Sequence, residues 1–278
     1  MASQIKVIET IHLFSKLDEL LIDLLKGMEE KDWNLPTFAG NWTIKDVAVH
    51  LLDGNLRSLS MLRDGYFGVS SGEINSYQDL LNYLNKLNHD WVNALQRLSP
   101  RIIIELLEQS GNQYTEFIKS LNPEEKATFS VAWAGEMESQ NWFHIAREFT
   151  EKWHHQQQIR YALGCPEPLY STEFYFPYLE TSMRALPHHY KDVKANEGVN
   201  IRFEITEIGS WNLIYKKSNW EITVKAKLEP TCKVIIPKNL AWKIFTKAVK
   251  PEESLQHIEI TGEQHLGRHI LKMLAVMA

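Results

Sequence analysis

The sequence predicts an α+β protein, a four-helix bundle followed by a small α+β domain. Two observations predict it. Up to Leu163 apolar residues recur at three- and four-residue spacing, the period of helices that bury one face. From Asn200 the period drops to two, as in strands half-buried in a sheet. Helices first and strands afterwards is an α+β order. The chain has 278 residues, enough for about two domains. The expected division is 1–165 for the bundle, 166–195 for a linking helix and 196–278 for the α+β domain.

The first helix is predicted from Gln4 to Met28 on Ile8, Ile11, Phe14, Leu17, Leu21, Leu24 and Leu25, with Gly27 and Pro36 marking its end. Residues 34–41 read as loop. Thr43 is a good N-cap, and Asp46 follows near the positive end of the helix dipole. That second helix should run through Val47, Leu51, Leu52 and Leu59 to about Arg63. Gly65, Gly68, Ser70, Ser71 and Gly72 read as a flexible connection. A third helix is expected from about Tyr77 to Leu98, and Ser99-Pro100 breaks it. A fourth follows from Arg101 to Leu121 before Pro123. Phe129, Val131 and Trp133 alternate with small residues in a short extended or looped segment. The longest helix is expected from Gln140 to Leu163, with Gly164 as its C′ residue and Pro166 blocking continuation.

A linking helix is read from Thr172 to Tyr190, its limits blurred by Pro177 and Pro187. Strands are read at Ile201–Ile205, Trp211–Tyr215 and Trp220–Val224, the last two joined by a hairpin turn over Lys216, Lys217, Ser218 and Asn219. A further strand spans Lys233–Pro237, a helix Lys238–Val249, a strand His257–Thr261 and a terminal helix Glu263–Met277.

Composition narrows the partners. Hydrophobic residues make up 44 % and charged residues 23 %, ordinary for a soluble globular protein. The net charge of −5 supplies no basic field for nucleic acid or an anionic membrane. No apolar run approaches the ~20 residues of a membrane span. Residues 1–10 carry Lys6 and Glu9 and lack the apolar core of a signal peptide. Cys165 and Cys232 fit no metal or redox spacing and suit a reducing compartment. The expectation is a cytoplasmic protein, monomer or homodimer, with neither nucleic acid nor membrane as partner.

The chemistry lies in the longest helix. Glu151 and His155 are four residues apart, and on a helix such residues stand side by side. They could share one metal ion, with ligand distances to zinc of about 2.0–2.2 Å. Chance gives about 1.4 acid–histidine pairs at this spacing in a chain of 35 acidic residues and 11 histidines. The sequence contains Asp46 with His50, Glu151 with His155, and Glu253 with His257; His265 and His269 are similarly spaced. Glu151 and His154 form a further i,i+3 pair. Spacing alone does not choose among these. His144, Arg147 and Glu148 lie within about two turns before Glu151 and fit a pocket or a surface charge network equally.

Three segments carry a resemblance that does choose: NWTIKDVAVHLLDGN at the second helix, REFTEKWHHQQQIRYALG at the longest one, and LAWKIFTKAV with IEITGEQHLGRHILKMLAVMA near the end. They resemble the thiol-dependent maleylpyruvate isomerase family, the mycothiol-dependent branch. Its members join a DinB-like metal-binding four-helix bundle to a C-terminal domain akin to sterol-carrier proteins. The resemblance implies a metal triad of His50, Glu151 and His155, a His₂Glu set with open positions as in catalytic zinc sites. Where the family commonly has Asp three residues after the last histidine, this chain has Gln158, which can still hydrogen-bond to a ligand but brings no charge.

The resemblance also implies a divalent metal, zinc first, with nickel, manganese and iron compatible with the ligands. The cosubstrate it implies is a low-molecular-weight thiol, used for isomerisation of, or S-transfer to, a small electrophilic substrate. Arg63, Arg147 and Arg268 are the candidates for steadying the substrate's carboxylates; no residue is singled out as catalytic. The chain is rich in Lys, Asn and Ile relative to Arg and Ala, unlike proteins of the GC-rich genomes of mycothiol users. The thiol's identity is therefore open. Two other readings fit the same bundle: a metal-dependent hydrolase of the DinB-like superfamily, and a small-molecule binding protein without turnover.

Overall fold

The computed structural model describes residues 7–68, 72–223 and 229–276. Contacts divide the chain into two compact units. One comprises Thr10–Asn122 and Lys152–Pro166; the other comprises the described residues of Met1–Glu9, with Pro123–Glu151 and Glu167–Ala278.

In the helical unit, a 3-10 turn at Ile11–Leu13 leads into α1 (Phe14–Lys26). Phe14, Leu17, Leu21 and Leu25 recur along one stripe and are buried. The helix read from residue 4 thus begins later, and residues 4–6 lie outside the described residues. Thr43 and Asp46 form a capping box at the start of α2 (Ile44–Ser58). Thr43 Oγ1 accepts from the Asp46 amide, and Asp46 Oδ2 accepts from the Thr43 amide at 2.8 Å. The last five residues of the expected second helix, Leu59–Arg63, wind instead as a π-turn.

Ser76 caps α3 (Tyr77–Leu95), and Ser99 caps α4 (Pro100–Ser120), where Pro100 occupies the first helical turn at no hydrogen-bond cost. The core of this unit includes Leu25, Val47, Leu51, Leu52, Leu107 and Ile159. The last of these comes from α5 (Asn141–Ala162). α5 ends where Gly164 takes φ +70° and donates its amide to the Tyr161 carbonyl at 3.1 Å.

The other unit holds the first turns of α5, then α6 (Thr172–Met183) and α7 (Leu186–His189). These two replace the single linking helix read over Thr172–Tyr190, and Pro187 sits in the first turn of α7. The five-stranded sheet comprises β1 (Asn200–Ile205), β2 (Gly209–Lys216), β3 (Asn219–Thr223), β4 (Cys232–Ile236) and β5 (Glu259–Gly262). Its order is β3-β2-β1-β4-β5. All neighbours run antiparallel except β1 and β4, which are parallel with Phe203 opposite Val234.

Ile201, Phe203 and Ile205 are buried, as are Cys232, Val234 and Ile236. The β2–β3 hairpin turns through Lys217 and Ser218, with φ of 49° and 64°, the left-handed pair of a type I′ turn. Val224, read as part of β3, lies outside the described residues. The helix read over Lys238–Val249 stops at Phe245 as α8 (Lys238–Phe245), and α9 (Pro251–Leu255) follows. The terminal helix is short: α10 (Gln264–His269) passes into a 3-10 turn at Ile270–Lys272, and Met273 is extended. Met277 lies outside the described residues.

At the edge of the sheet Gly262 pairs with Cys232 and has φ +81°. A Cβ there would lie 2.1 Å from the Thr231 carbonyl oxygen. No described helix is long and apolar enough to cross a membrane.

Candidate metal centre

The eight residues Trp153, His154, His155, Gln156, Gln157, Gln158, Ile159 and Arg160 of α5 are all buried, and six of them are polar. Buried polar groups demand partners, and the helix finds them in its own unit. Lys152 Nζ pairs with Asp18 Oδ1 on α1 at 2.7 Å. Arg160 Nη2 donates to the Leu20 carbonyl at 2.8 Å, and Gln157 Nε2 to the Pro166 carbonyl at 3.2 Å. These contacts fix the rotation of α5 against α1.

With that rotation set, His155 meets His50 of α2. Their ring centroids are 4.6 Å apart with planes at 73°. Trp42 packs on the other side of His50, its ring 5.0 Å away. His155 Nδ1 donates to Gln158 Oε1 at 2.9 Å. This leaves its Nε2 with a lone pair, the tautomer a metal ligand needs. The buried Nδ1 of His50 finds no hydrogen-bond partner among the described residues.

Burial holds the His50 imidazole well below its ordinary pKa; His155 and then the Arg57 charge push it further down. Burial likewise depresses His155, helped by His154 and opposed by the Gln158 hydrogen bond. Both rings are therefore neutral at pH 7, ready to ligate without first losing a proton.

On α5 itself, one donor atom from each of Glu151, His154 and His155 lies within 4.8 Å of the others. The structure thus brings His50 to His155 and sets Glu151 one turn before His155 on a common helix. His154, the i,i+3 alternative, stands in the same cluster. Two imidazoles and a carboxylate suit a divalent first-row cation. The partnerless His50 Nδ1 fits such a donor set.

Residues 14–160 match the family described as the mycothiol maleylpyruvate isomerase N-terminal domain. That span is more than half of the chain. The chain belongs to this family. A crystal structure of the mycothiol-dependent maleylpyruvate isomerase aligns over 93 % of this chain and 95 % of its own, at 11 % identity and a TM-score of 0.53. A histidine-to-alanine mutant of that isomerase aligns over the same shares, at 11 % identity and a TM-score of 0.52. At this identity the likeness is one of fold. No curated protein matches the sequence.

In this member of the maleylpyruvate isomerase family the three arginines singled out from the sequence stand on three different elements. Arg63 sits on the π-turn after α2, bonded to Asp64 through Nε at 2.7 Å and Nη2 at 3.0 Å. Arg268 is exposed on α10. Arg147 is held on α5 by Glu148 Oε1 at 2.8 Å, His144 Nδ1 at 2.7 Å and the Ser130 carbonyl at 3.3 Å. Another cation acts on His50: Arg57, two turns along α2, which lies 3.7 Å from Asp53. Burial raises the Asp53 carboxyl above its usual range, and Arg57 offsets part of that rise. His50, Asp53 and Arg57 recur at i, i+3 and i+7, a one-face signal that was available in the sequence.

The remaining histidines of suitable spacing, His257, His265 and His269, belong to the sheet-bearing unit. Glu253 and His257 are exposed, and so is His265. His269 instead stacks on His189 at 4.3 Å, each ring bonded to the other residue's carbonyl.

His144 gives a pH prediction. Its Nδ1 accepts from Arg147 and it is 3 % exposed. Burial lowers its pKa to about 4, with Glu148 opposing and Arg147 assisting. Between pH 6.5 and 4 the unfolded chain binds a proton here that the folded chain does not, so stability falls as pH falls. Urea unfolding at pH 7 and 4.5 should show a loss of about 2–3 kcal/mol from this residue. His144→Gln, which keeps an acceptor for Arg147, should remove that part of the pH dependence. An unchanged difference between the two pH values in the variant overturns the assignment.

Proposed function

We propose that this protein is a divalent-metal-dependent enzyme that activates a low-molecular-weight thiol. His50, Glu151 and His155 hold the cation, zinc in the first instance, and the substrate is a small electrophile that is isomerised or takes up the sulfur. The observation that carries the reading is the meeting of two neutral imidazoles, half-buried His50 from α2 and buried His155 from α5, with Gln158 holding His155 in the ligating tautomer. Glu151 supplies the carboxylate from one turn away on α5. Membership of the maleylpyruvate isomerase family supports the same reaction class.

When bound, a divalent cation lowers the pKa of a coordinating thiol, so that the nucleophilic thiolate exists at neutral pH. The protein's own groups do the rest. Burial keeps His50 and His155 neutral, and Gln158 holds the His155 ring in place. Arg57 joins Arg63, Arg147 and Arg268 as a candidate for steadying carboxylates, and its charge is the one felt at His50. A cationic side chain beside the centre also draws an anionic substrate toward it.

The test is elemental analysis of protein purified without an affinity tag, followed by titration of the metallated protein with a panel of thiols. About one divalent ion per chain and one tightly bound thiol are expected. Protein that takes up no zinc, nickel, manganese or iron overturns the proposal. Gln158→Ala should weaken metal binding about 10–100-fold, as loss of an orienting partner does, with the helical content unchanged. Equal affinity in that variant would remove Gln158 from the centre.

A further inference from the structure

The family triad leaves His154 unused, yet the structure places it with two of the triad's members, Glu151 and His155. Consecutive helical residues point about 100° apart. The His154 and His155 rings nevertheless lie 3.9 Å apart, centroid to centroid, tilted by 37°. Both rings lean to one side of α5, the side that carries Glu151. The donor atoms of Glu151, His154 and His155 fall within 4.8 Å of one another. Two ligands about 2.1 Å from a tetrahedral ion stand about 3.4 Å apart, so little more than an ångström of side-chain rotation closes the set. Glu151 and His154 also form a Glu-x-x-His pair, a spacing by which helical bundles hold metal ions. His154 is buried, so its polar ring does not sit at the surface for solubility.

We infer that His154 is a further ligand of the resting centre, and that an incoming thiol displaces it. The chain then holds its cation with four protein groups, His50, Glu151, His154 and His155. Such a set is closed, whereas three protein ligands would leave a position for water. The inference rests on the metal reading above and deepens it: the resting protein is guarded against water and other small ligands, and a strong sulfur ligand opens it.

Cobalt(II) in place of the native ion gives one arm of the test, through its affinity. His154→Ala should bind cobalt at least about tenfold more weakly than wild type. X-ray absorption on the wild-type zinc protein should count three imidazoles, a measurement independent of how the variant folds. Two imidazoles, or a His154→Ala affinity equal to wild type, overturn the inference and leave the triad standing. A wild-type protein that binds neither cobalt nor zinc brings down the triad as well.

Discussion

His155→Ala is expected to leave the protein without its divalent ion. His155 joins the two parts of the proposed centre: it lies 4.6 Å from His50 ring to ring, and it shares α5 with Glu151. Removing it takes away a direct ligand and the group that Gln158 orients. Loss of an outer partner alone typically costs 10–100-fold in affinity, and loss of a ligand should exceed that, so metal falls below stoichiometry on dialysis. Activity toward any thiol-dependent substrate should fall with it. His50→Ala should behave alike, since it takes away the other imidazole of the pair. The fold should survive both changes, because the bundle core of Val47, Leu51, Leu52 and Ile159 is untouched. Elemental analysis with circular dichroism decides the matter. Stoichiometric metal in both variants sinks the triad.

Gly262→Ala is expected to destabilise the sheet-bearing unit by about 3 kcal/mol or more, the scale of a forced backbone clash added to left-handed strain. At φ +81° an alanine is strained by itself, and its Cβ would lie 2.1 Å from the Thr231 carbonyl oxygen and 3.2 Å from the Cys232 Cα. The atoms it meets are backbone, so no side chain can swing aside. Relief requires breaking the pairing of Gly262 with Cys232. Gly164→Ala is the control: its φ is +70°, but nothing lies within 4 Å of the added carbon. That change should cost only the left-handed penalty, about 1–2 kcal/mol. Equal midpoint shifts for the two variants in urea would show that the clash is relieved in some cheaper way.

Signals that act within one turn are legible in this chain, and those that need a distant partner are not. Thr43 with Asp46, Ser99 with Pro100, and Gly164 each act within one helical turn, and the helices begin or end where these residues place them. The switch to period two at Asn200 likewise marks β1. What periodicity could not show depends on partners far along the chain. The parallel pairing of β1 with β4 joins segments separated by a hairpin and by residues outside the described structure. Helix lengths near the end also escaped: α8 stops at Phe245 and α10 at His269, although the apolar pattern runs on. Apolar spacing is satisfied there by a short turn, whose Ile270 and Leu271 are buried beside α8 and α9.

The candidate centre was legible only in part. Four histidine patterns had suitable spacing, and nothing local ranked them; the choice of His50 came from family resemblance. That His50 and His155 meet is a tertiary fact, fixed by how α5 is pinned to α1 through Lys152 and Arg160. Gln158 was visible as a departure from the family, and its hydrogen bond to His155 shows what a neutral residue does at that position. Arg57 was missed because an arginine two turns from a histidine is commonplace on helix surfaces. Only its effect on a buried ring sets it apart.

The strand order has a consequence during synthesis. β1, β2 and β3 leave the ribosome first and can form a meander, but β1 then has an open side until β4 arrives. Ile205 and Ile236, which end up side by side, are translated about 2–6 s apart at ordinary elongation rates. During that interval a strand carrying Ile201, Phe203 and Ile205 presents unpaired backbone to any neighbouring chain, the usual route to intermolecular pairing. Slowed translation, or a stop anywhere before Cys232, should therefore drive this protein into insoluble material rather than yield a soluble fragment.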